Sequence, residues 1–217
     1  MYVRKCGLIL IIVASMAIHT TLVRAQTVVS TTGAIVLSTP PPSVLGETST
    51  IAINAFYERQ NVLLSSPLSF DIGAPGFYNF GGSLSPGAVA AGTVVDSLFL
   101  NTVSPNGAIL TGSVTLDRPI VGVMALDNSL NASDAIVGVP TTSYPTGVSG
   151  RDYEADGDQV TLSADRKTLT VTANFSEPGD ELRIVTLGNS SVPEPGAYAL
   201  LASLGLSGVA LLRRRAR

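Results

Sequence analysis

The sequence has few of the side chains that most enzymes use for catalysis. It contains one cysteine, one histidine and no tryptophan, and both Cys6 and His19 lie in an N-terminal segment that we predict is removed. Without them, the rest of the chain cannot build a Cys–His or Ser–His nucleophile, a Cys/His zinc site or a disulfide. Lys167 is the single lysine of that remainder, which argues against a Ser–Lys pair. Carboxylates are the one route left open for acid–base catalysis.

Charge is also scarce, and it is unevenly balanced. Charged residues make up 13% of the chain, about half of the roughly 25% found in ordinary globular domains. Between Gln26 and Val192 there are 15 acidic and 6 basic residues, a net charge of −9. Such a surface repels phosphate backbones, so we expect no nucleic-acid partner.

The first 25 residues have the pattern of a secretory signal peptide. Arg4 and Lys5 precede an apolar stretch from Cys6 to Ile18, and Val23-Arg24-Ala25 comes directly before Gln26. The apolar stretch is shorter than the ~20 residues that a membrane-spanning helix needs. We therefore predict a signal peptide over residues 1–25, cleaved between Ala25 and Gln26. An uncleaved anchor is the alternative.

Residues 191–217 form a tail with three parts. An extended motif, Val192-Pro193-Glu194-Pro195, comes first because proline disfavours helix both at its own position and at the one before it. The uncharged run 197–212 follows, and as a helix it would span about 24 Å, enough to cross a thin bilayer if its flanking side chains reach the interfaces. The basic end 213–217 contributes Arg213, Arg214, Arg215 and Arg217, which the positive-inside rule keeps cytoplasmic.

In this order, the three parts of the tail resemble the PEP-CTERM sorting signal of bacterial envelope proteins. The resemblance implies that an integral-membrane enzyme, exosortase, recognises the tail and removes it. Exosortase and the membrane are therefore the expected partners. The protein would be exported, held in the inner membrane by the helix before processing, and then placed at the cell surface or in the extracellular matrix. An ordinary single-pass anchor with a proline-containing stalk is the alternative.

Between these two ends, the sequence predicts an all-β fold. Short alternating runs, separated by turn signals at nearly regular spacing, predict a single β-sandwich over residues 48–190, with a jelly roll as one form of it and a β-barrel as the alternative. Residues 26–47 read as an N-terminal extension with a proline-rich spacer. Two hairpins are predicted, one joining 93–103 to 108–116 and one joining 159–163 to 168–175.

Two further segments of the domain give specific expectations. The run Pro119–Leu126 is apolar throughout, which predicts a strand that is covered on both faces in the middle of a packed sandwich. Residues 128–136 predict one or two helical turns. Several phrases, including Phe56–Val62 and Pro178–Ile184, are similar to secreted bacterial β-domain proteins that carry the same tail. That resemblance implies a fold-level domain and no known activity.

An acidic segment is the sharpest candidate site. Asp152, Glu154, Asp156 and Asp158 alternate along the chain, with Gly157 for a tight bend. Oxygen ligands at this spacing are typical of the first half of a calcium loop, so a structural calcium ion is the one cofactor that we predict. An EF-hand would have glutamate at its twelfth position, where this chain has serine. A solvated acidic turn is the alternative interpretation.

Two weaker signals concern sugars and ice. The aromatic residues of loop-like segments suit packing better than sugar stacking, since tryptophan is absent and their positions are scattered; they are Phe77, Tyr78, Phe80, Tyr144 and Tyr153. We also expect no flat array of threonines at alternate positions, which disfavours ice binding.

These observations favour a non-catalytic role. We expect an exosortase-sorted cell-surface or extracellular-matrix protein that acts by structure or by binding, with an extracellular polysaccharide as the candidate partner. The alternative is a small secreted glycoside hydrolase, which would need two carboxylates facing each other at roughly 5 to 9 Å.

Overall fold

The computed structural model describes residues 25–45, 51–103, 108–144, 146, 151–153, 155, 157–174 and 179–189. Over these residues the fold is mostly β, as predicted. In chain order the strands are β1 (Val28–Gly33), β2 (Ile35–Leu37), β3 (Ala52–Tyr57), β4 (Val62–Leu63), β5 (Leu68–Phe70), β6 (Gly76–Asn79), β7 (Gly87–Val89), β8 (Val94–Val103), β9 (Ile109–Leu116), β10 (Ile120–Met124), β11 (Gln159–Leu162), β12 (Thr168–Asn174) and β13 (Glu181–Leu187), and the helix α1 (Asp127–Val137) lies between β10 and β11.

The strands form two main sheets. The five-stranded sheet has the order β1-β9-β12-β11-β6 and is antiparallel throughout. The six-stranded sheet has the order β10-β13-β8-β3-β2, and β4 also pairs with β8. In this second sheet, β2 and β3 run parallel, whereas the other pairs are antiparallel. A separate pair, β5-β7, lies outside both.

One hydrophobic core joins the inward faces of the two sheets. In β12 every second side chain is buried, so Leu169, Val171 and Ala173 point inward while the threonines between them do not. The six-stranded sheet contributes Leu98 of β8 and Ile184 of β13 to the same cluster. In β12, strict alternation in the sequence therefore reports correctly which side of the strand is buried.

The N-terminal strands correct the predicted domain boundary. β1 pairs with β9 in the five-stranded sheet, and β2 pairs with β3 in the six-stranded sheet. Residues 28–37 are therefore part of the folded domain and not an extension before it. The chain changes sheets at Gly33, whose φ of 65° suits glycine, and a Cβ there would overlap the carbonyl oxygen of Thr111.

The two predicted hairpins differ in outcome. β11 and β12 pair with each other as a hairpin, in the register Gln159↔Thr172 to Leu162↔Leu169. The strands β8 and β9 also exist, but they belong to different sheets and pair with other strands. The prediction of a hairpin between them is wrong, and their link crosses from one sheet to the other. The predicted turn itself, 104–107, lies outside the described residues.

A second hydrophobic cluster covers the outer face of the six-stranded sheet. Phe56, Phe99 and Val185 point away from the main core and pack with Leu130 and Val137 of α1. The helix has 11 residues, one turn more than the sequence predicted. The carboxylate of Asp71 receives hydrogen bonds from the backbone N–H groups of the two residues before α1, at 2.8 and 3.0 Å, and so satisfies donors at its start.

Strand β10, which forms most of this apolar run, lies at the end of the strand order of the six-stranded sheet. Its side chains are nevertheless buried on both faces, because one face meets the main core and the other meets the second cluster. Its free edge is also covered, since the backbone of Val123 exchanges hydrogen bonds with Asp71 and Ile72. The apolar sequence of β10 therefore indicated correctly that both faces of the strand are covered. It does not indicate whether the strand lies at the edge or in the middle of its sheet.

Candidate functional site

The structure describes two of the four carboxylates in the predicted calcium segment. Asp158 is buried, and its Oδ1 accepts a hydrogen bond of 2.7 Å from the backbone N–H of Asn174. Asp152 is half-buried and close enough to Asp127 to raise the pKa of that carboxyl, although burial is the larger cause of the shift. Glu154 and Asp156 lie outside the described residues. Within the described part, no three Asp, Glu, His or Cys side chains come together as a metal site, so the calcium ion stays a prediction.

A charged network that the sequence did not predict lies between α1 and the six-stranded sheet. Arg183 of β13 is fully buried and makes a two-pronged pair with Glu58, with Nε–Oε2 at 2.6 Å and Nη2–Oε1 at 2.8 Å. It also donates to Asp134 of the helix at 3.0 Å. The guanidinium lies over the rings of Phe99 and Tyr144, 4.9 and 5.4 Å from their centres. Burial by itself lowers the pKa of Arg183, but the paired carboxylates raise it above its ordinary value.

Arg151 extends this network toward the acidic segment. Its Nε donates to Glu181 at 2.5 Å, and its other nitrogens reach both oxygens of Asp134 at 2.9 and 3.0 Å. Glu181 has no exposed surface, and none of the described residues donates to its Oε1. Burial raises the pKa of Glu181 to about 7, against the opposing effect of Arg151. Asp134 thus joins the two arginines into one network.

Glu58 is held by neutral donors as well as by arginine. Ser97 donates to its Oε2 at 2.5 Å and Tyr144 to its Oε1 at 2.7 Å. Burial, followed by the neighbouring Glu58 charge, raises the pKa of Tyr144, so this hydroxyl stays protonated. The carboxylate of Glu58 is therefore paired with structural partners on both of its oxygens.

The open groove between α1 and the β5-β7 pair also lacks a carboxylate pair in its described lining. The groove has a volume of about 590 Å³, and its lining contains a single carboxylate, Asp71. That carboxylate already accepts hydrogen bonds from the start of α1, including one of 2.5 Å from Ser129. The groove therefore offers a shape without the two facing acids that glycoside hydrolysis needs.

The outward face of the five-stranded sheet is covered with hydroxyl groups. We call this surface the hydroxyl face; its members are Ser30, Thr32, Thr111, Ser113, Thr115, Thr161, Thr168, Thr170 and Thr172. The outward positions of these strands carry no charged side chain. In a domain with a net charge of −9, an uncharged face of this extent is a distinct surface.

Hydroxyl pairs join the two central strands of this face at regular intervals. Thr111 meets Thr172 at 3.0 Å, Ser113 meets Thr170 at 2.8 Å, and Thr115 meets Thr168 at 3.0 Å. Neighbouring rows are about 6.8 Å apart along a strand and neighbouring strands about 4.8 Å apart. The expectation that threonines would form no alternate-position array is therefore wrong. The signal was present in the sequence, since β12 reads Thr-Leu-Thr-Val-Thr.

Most of the predicted loop aromatics pack inside, as expected. Tyr78 and Tyr153 are buried, Phe80 packs on Tyr153 with ring centres 5.3 Å apart, and Tyr144 belongs to the charged network. Phe77 is the exception. It lies on β6, in the row of the hydroxyl face that contains Thr161 and Thr170, and 59% of it is exposed.

The predicted signal-cleavage position lies in an ordered corner of the domain. Ala25 is half-buried and Gln26 is buried. The side chain of Gln26 accepts a hydrogen bond of 2.7 Å from Thr186, near the end of β13. The chain thus enters the domain beside the point where the last strand leaves it.

The remaining predicted site residues lie outside the described part of the chain. They are the motif residues Val192, Pro193, Glu194 and Pro195, the apolar run 197–212, and the terminal Arg213, Arg214, Arg215 and Arg217. In the described ranges, no helix is long and apolar enough to cross a bilayer.

Comparison with known proteins identifies the tail alone. Neither the curated proteins nor the solved structures give a match to this chain. Residues 191–215 match the PEP-CTERM protein-sorting motif, which covers the predicted Pro-Glu-Pro motif, the apolar run and most of the arginine cluster. The chain therefore carries the PEP-CTERM sorting motif, which supports export and exosortase-dependent sorting to the cell surface.

Proposed function

We propose that this protein is a surface or extracellular-matrix protein that is anchored in the inner membrane by its tail, released by exosortase, and active through structure or binding and not through catalysis. The observation that carries the proposal is the sorting motif at residues 191–215, which follows an acidic β domain ending at Leu187. We infer that this domain is the predicted β-sandwich, because inward side chains of both sheets share one core.

Sorting can be tested through the glutamate of the motif. In a bacterium that has exosortase, we expect the surface-released protein to end near Pro195, and Glu194→Ala to leave the full-length chain in the inner membrane. Ser190→Ala, one position before the matched residues 191–215, is the matched control and should sort normally. Intact mass and membrane fractionation measure both results. A released wild-type protein that still ends at Arg217 would contradict the proposal.

The hydroxyl face supports a binding role and suggests its ligand. A neutral polysaccharide presents hydroxyl donors and acceptors at close spacing, and it can pair with Ser and Thr hydroxyls without the cost of desolvating a charge. The methyl groups of the threonines and the exposed ring of Phe77 add apolar contact of the kind that covers a sugar ring. We therefore propose a neutral extracellular polysaccharide as the ligand, bound along the hydroxyl face.

Binding to this face can be separated from general effects of charge. We expect the protein to co-sediment with an insoluble neutral glucan such as microcrystalline cellulose, and we expect soluble alginate, an anionic polymer, not to compete for this binding. Thr170→Glu places a charge in the middle of the face and should weaken co-sedimentation at least about tenfold, since an unpaired charge is costly to desolvate. Leu63→Glu, on an exposed position of β4, adds the same charge elsewhere and should bind like wild type. Equal binding by both variants would exclude the hydroxyl face.

The buried carboxylates support the non-catalytic part of the proposal. Glu58 and Glu181 are paired with arginines and have no exposed side-chain surface, so a polysaccharide chain has no access to them. The same glucan incubation measures catalysis directly, because a glycoside hydrolase would release reducing ends with time. Their appearance with wild-type protein would favour the glycoside hydrolase alternative.

A further inference from the structure

The first residues of the folded domain are held by an unusual series of acceptors. Three consecutive backbone N–H groups each donate to a side chain from a distant part of the chain. The N–H of Gln26 meets Asp96 Oδ2 at 2.8 Å, that of Thr27 meets Asp117 Oδ1 at 2.9 Å, and that of Val28 meets the hydroxyl of Tyr57 at 2.7 Å. The backbone is thus held from Gln26 onward, two residues before β1 begins to pair at Val28.

The acceptor for Gln26 is a fully buried carboxylate. Asp96 has no exposed surface, and its Oδ1 accepts a short hydrogen bond of 2.6 Å from the backbone of Asn61. The described cation nearest to it is Arg118, whose Nη1 lies 3.4 Å from Oδ2 and also donates to the carbonyl of Leu187. A buried carboxylate gains most from close, charged hydrogen-bond donors, and this arrangement leaves room for another.

One orphaned oxygen in the same corner lacks a donor. Asn61 Oδ1 is buried and no described residue donates to it. A Cβ built on Gly188 would lie 2.8 Å from Val94 Cγ1, 3.1 Å from Asp96 Oδ1 and 3.4 Å from Asn61 Oδ1, so the two oxygens lie on the same side of Gly188.

We propose that this corner is a binding site for the new N-terminus of the chain. Cleavage after Ala25 turns the backbone N–H of Gln26 into an α-ammonium group, which brings a positive charge and two additional N–H donors to Asp96. The pair joins the first residue of the mature protein to β8 in the six-stranded sheet. Signal cleavage is then the step that completes the fold, because the uncleaved chain has an amide nitrogen and no charge at this position.

The proposal rests on the predicted cleavage site, and the test is built so that the two can fail separately. Two proteins are compared, one that begins at Gln26 and one that begins one residue earlier, at Ala25. Both end at Arg217, both are released from a fusion protein by a protease that leaves no extra residue, and both are kept in mild detergent. The N-terminus of the exported protein is sequenced independently. If export cleaves elsewhere, the cleavage prediction fails while the comparison of the two chains still tests the site.

We expect the chain that begins at Gln26 to melt about 4 °C or more above the chain that begins at Ala25, because a charged hydrogen bond replaces a neutral one. In Asp96→Asn, both chains should melt at the same temperature. Asp117→Asn is the matched control: its carboxylate holds the next backbone N–H, so the difference between the two chains should persist. An equal melting temperature for the two wild-type chains, or a difference that survives in Asp96→Asn, would overturn the proposal.

A second measurement does not depend on stability. An N-terminal glutamine cyclises when its free amine attacks the side-chain amide carbon and ammonia leaves. An ammonium group held by Asp96 is protonated and fixed, so the wild-type chain should lose ammonia several-fold more slowly than Asp96→Asn when both are kept folded below their melting temperatures. Mass spectrometry follows the loss. Equal rates would show that the amine is free in solution and would overturn the proposal.

Discussion

Removing the charge of Arg183 should expose how much the buried network contributes to stability. In Arg183→Leu, Glu58 keeps its hydrogen bonds from Ser97 and Tyr144 but loses both guanidinium donors, at 2.6 and 2.8 Å. The lost donors leave a buried carboxylate without a cation within salt-bridge distance among the described residues. Asp134 is better protected, because Arg151 still pairs with it.

The expected magnitude follows from the burial of the pair. Both side chains have no exposed surface, and breaking a buried pair by removing one partner costs about 3 to 5 kcal/mol. For a domain of this size, about 2 to 4 °C is lost per kcal/mol, so the melting temperature should fall by roughly 6 to 20 °C. The double variant Arg183→Leu/Glu58→Leu removes both charges, and it should recover most of this loss because no buried charge is left alone.

Urea unfolding of the single and double variants measures both quantities. Arg59→Leu is the matched control, since Arg59 is exposed and donates to the backbone of Ile136 at the surface; it should change the free energy of unfolding by about 0.5 kcal/mol or less. The reasoning is refuted if Arg183→Leu costs less than about 1 kcal/mol, or if the double variant is as unstable as the single one.

Two further predictions concern protons and calcium. The pKa of Glu181 is about 7 in the folded protein and lower in the unfolded chain. Between these two pH values the folded protein therefore binds one proton more than the unfolded chain. Lowering the pH through 7 should stabilise wild type by up to about 3 kcal/mol relative to Glu181→Gln. Melting temperatures of both proteins between about pH 5 and pH 8 check this, and a constant difference contradicts it. If the acidic segment binds Ca²⁺ with a dissociation constant near 10⁻⁴ M, millimolar CaCl₂ should stabilise the protein by about 1.4 kcal/mol over EDTA, and Asp156→Ala should abolish the gain. Equal melting in the two buffers favours the solvated turn.

The parts of the fold that sequence predicted are those that depend on neighbouring residues. Alternation in β12 identifies its buried face, and the short link between β11 and β12 leaves little choice of partner. For β8 and β9 the same signals were present, yet the strands lie in different sheets. Alternation reports that one face of a strand is covered, but it does not say by which sheet, because that depends on packing between distant segments.

The charged network shows the same limit more sharply. Glu58 and Arg183 are 125 residues apart in the chain. Glu58 directly follows β3 and Arg183 lies in β13, and the sequence around each gives no sign of a buried charge. Asp134 lies in a short helix that was predicted at reduced length. The threonines of β12 could be predicted in part, because their alternate spacing is visible in the sequence. Their alignment with Ser113 and its neighbours on β9 could not, because it depends on how the two strands pair in the sheet.

The contact between Gln26 and Thr186 has a consequence for the order of events during export. These residues are 160 positions apart, and β13 lies between β10 and β8 in the six-stranded sheet. A chain that crosses the membrane from its N-terminus cannot close this sheet until β13 has emerged, and such non-local pairing is slow. Three residues, 188–190, separate the end of β13 from the sorting motif. If export follows the proposed route, the six-stranded sheet can close only when the sorting motif is about to leave the membrane, so the end of folding and sorting would coincide in time.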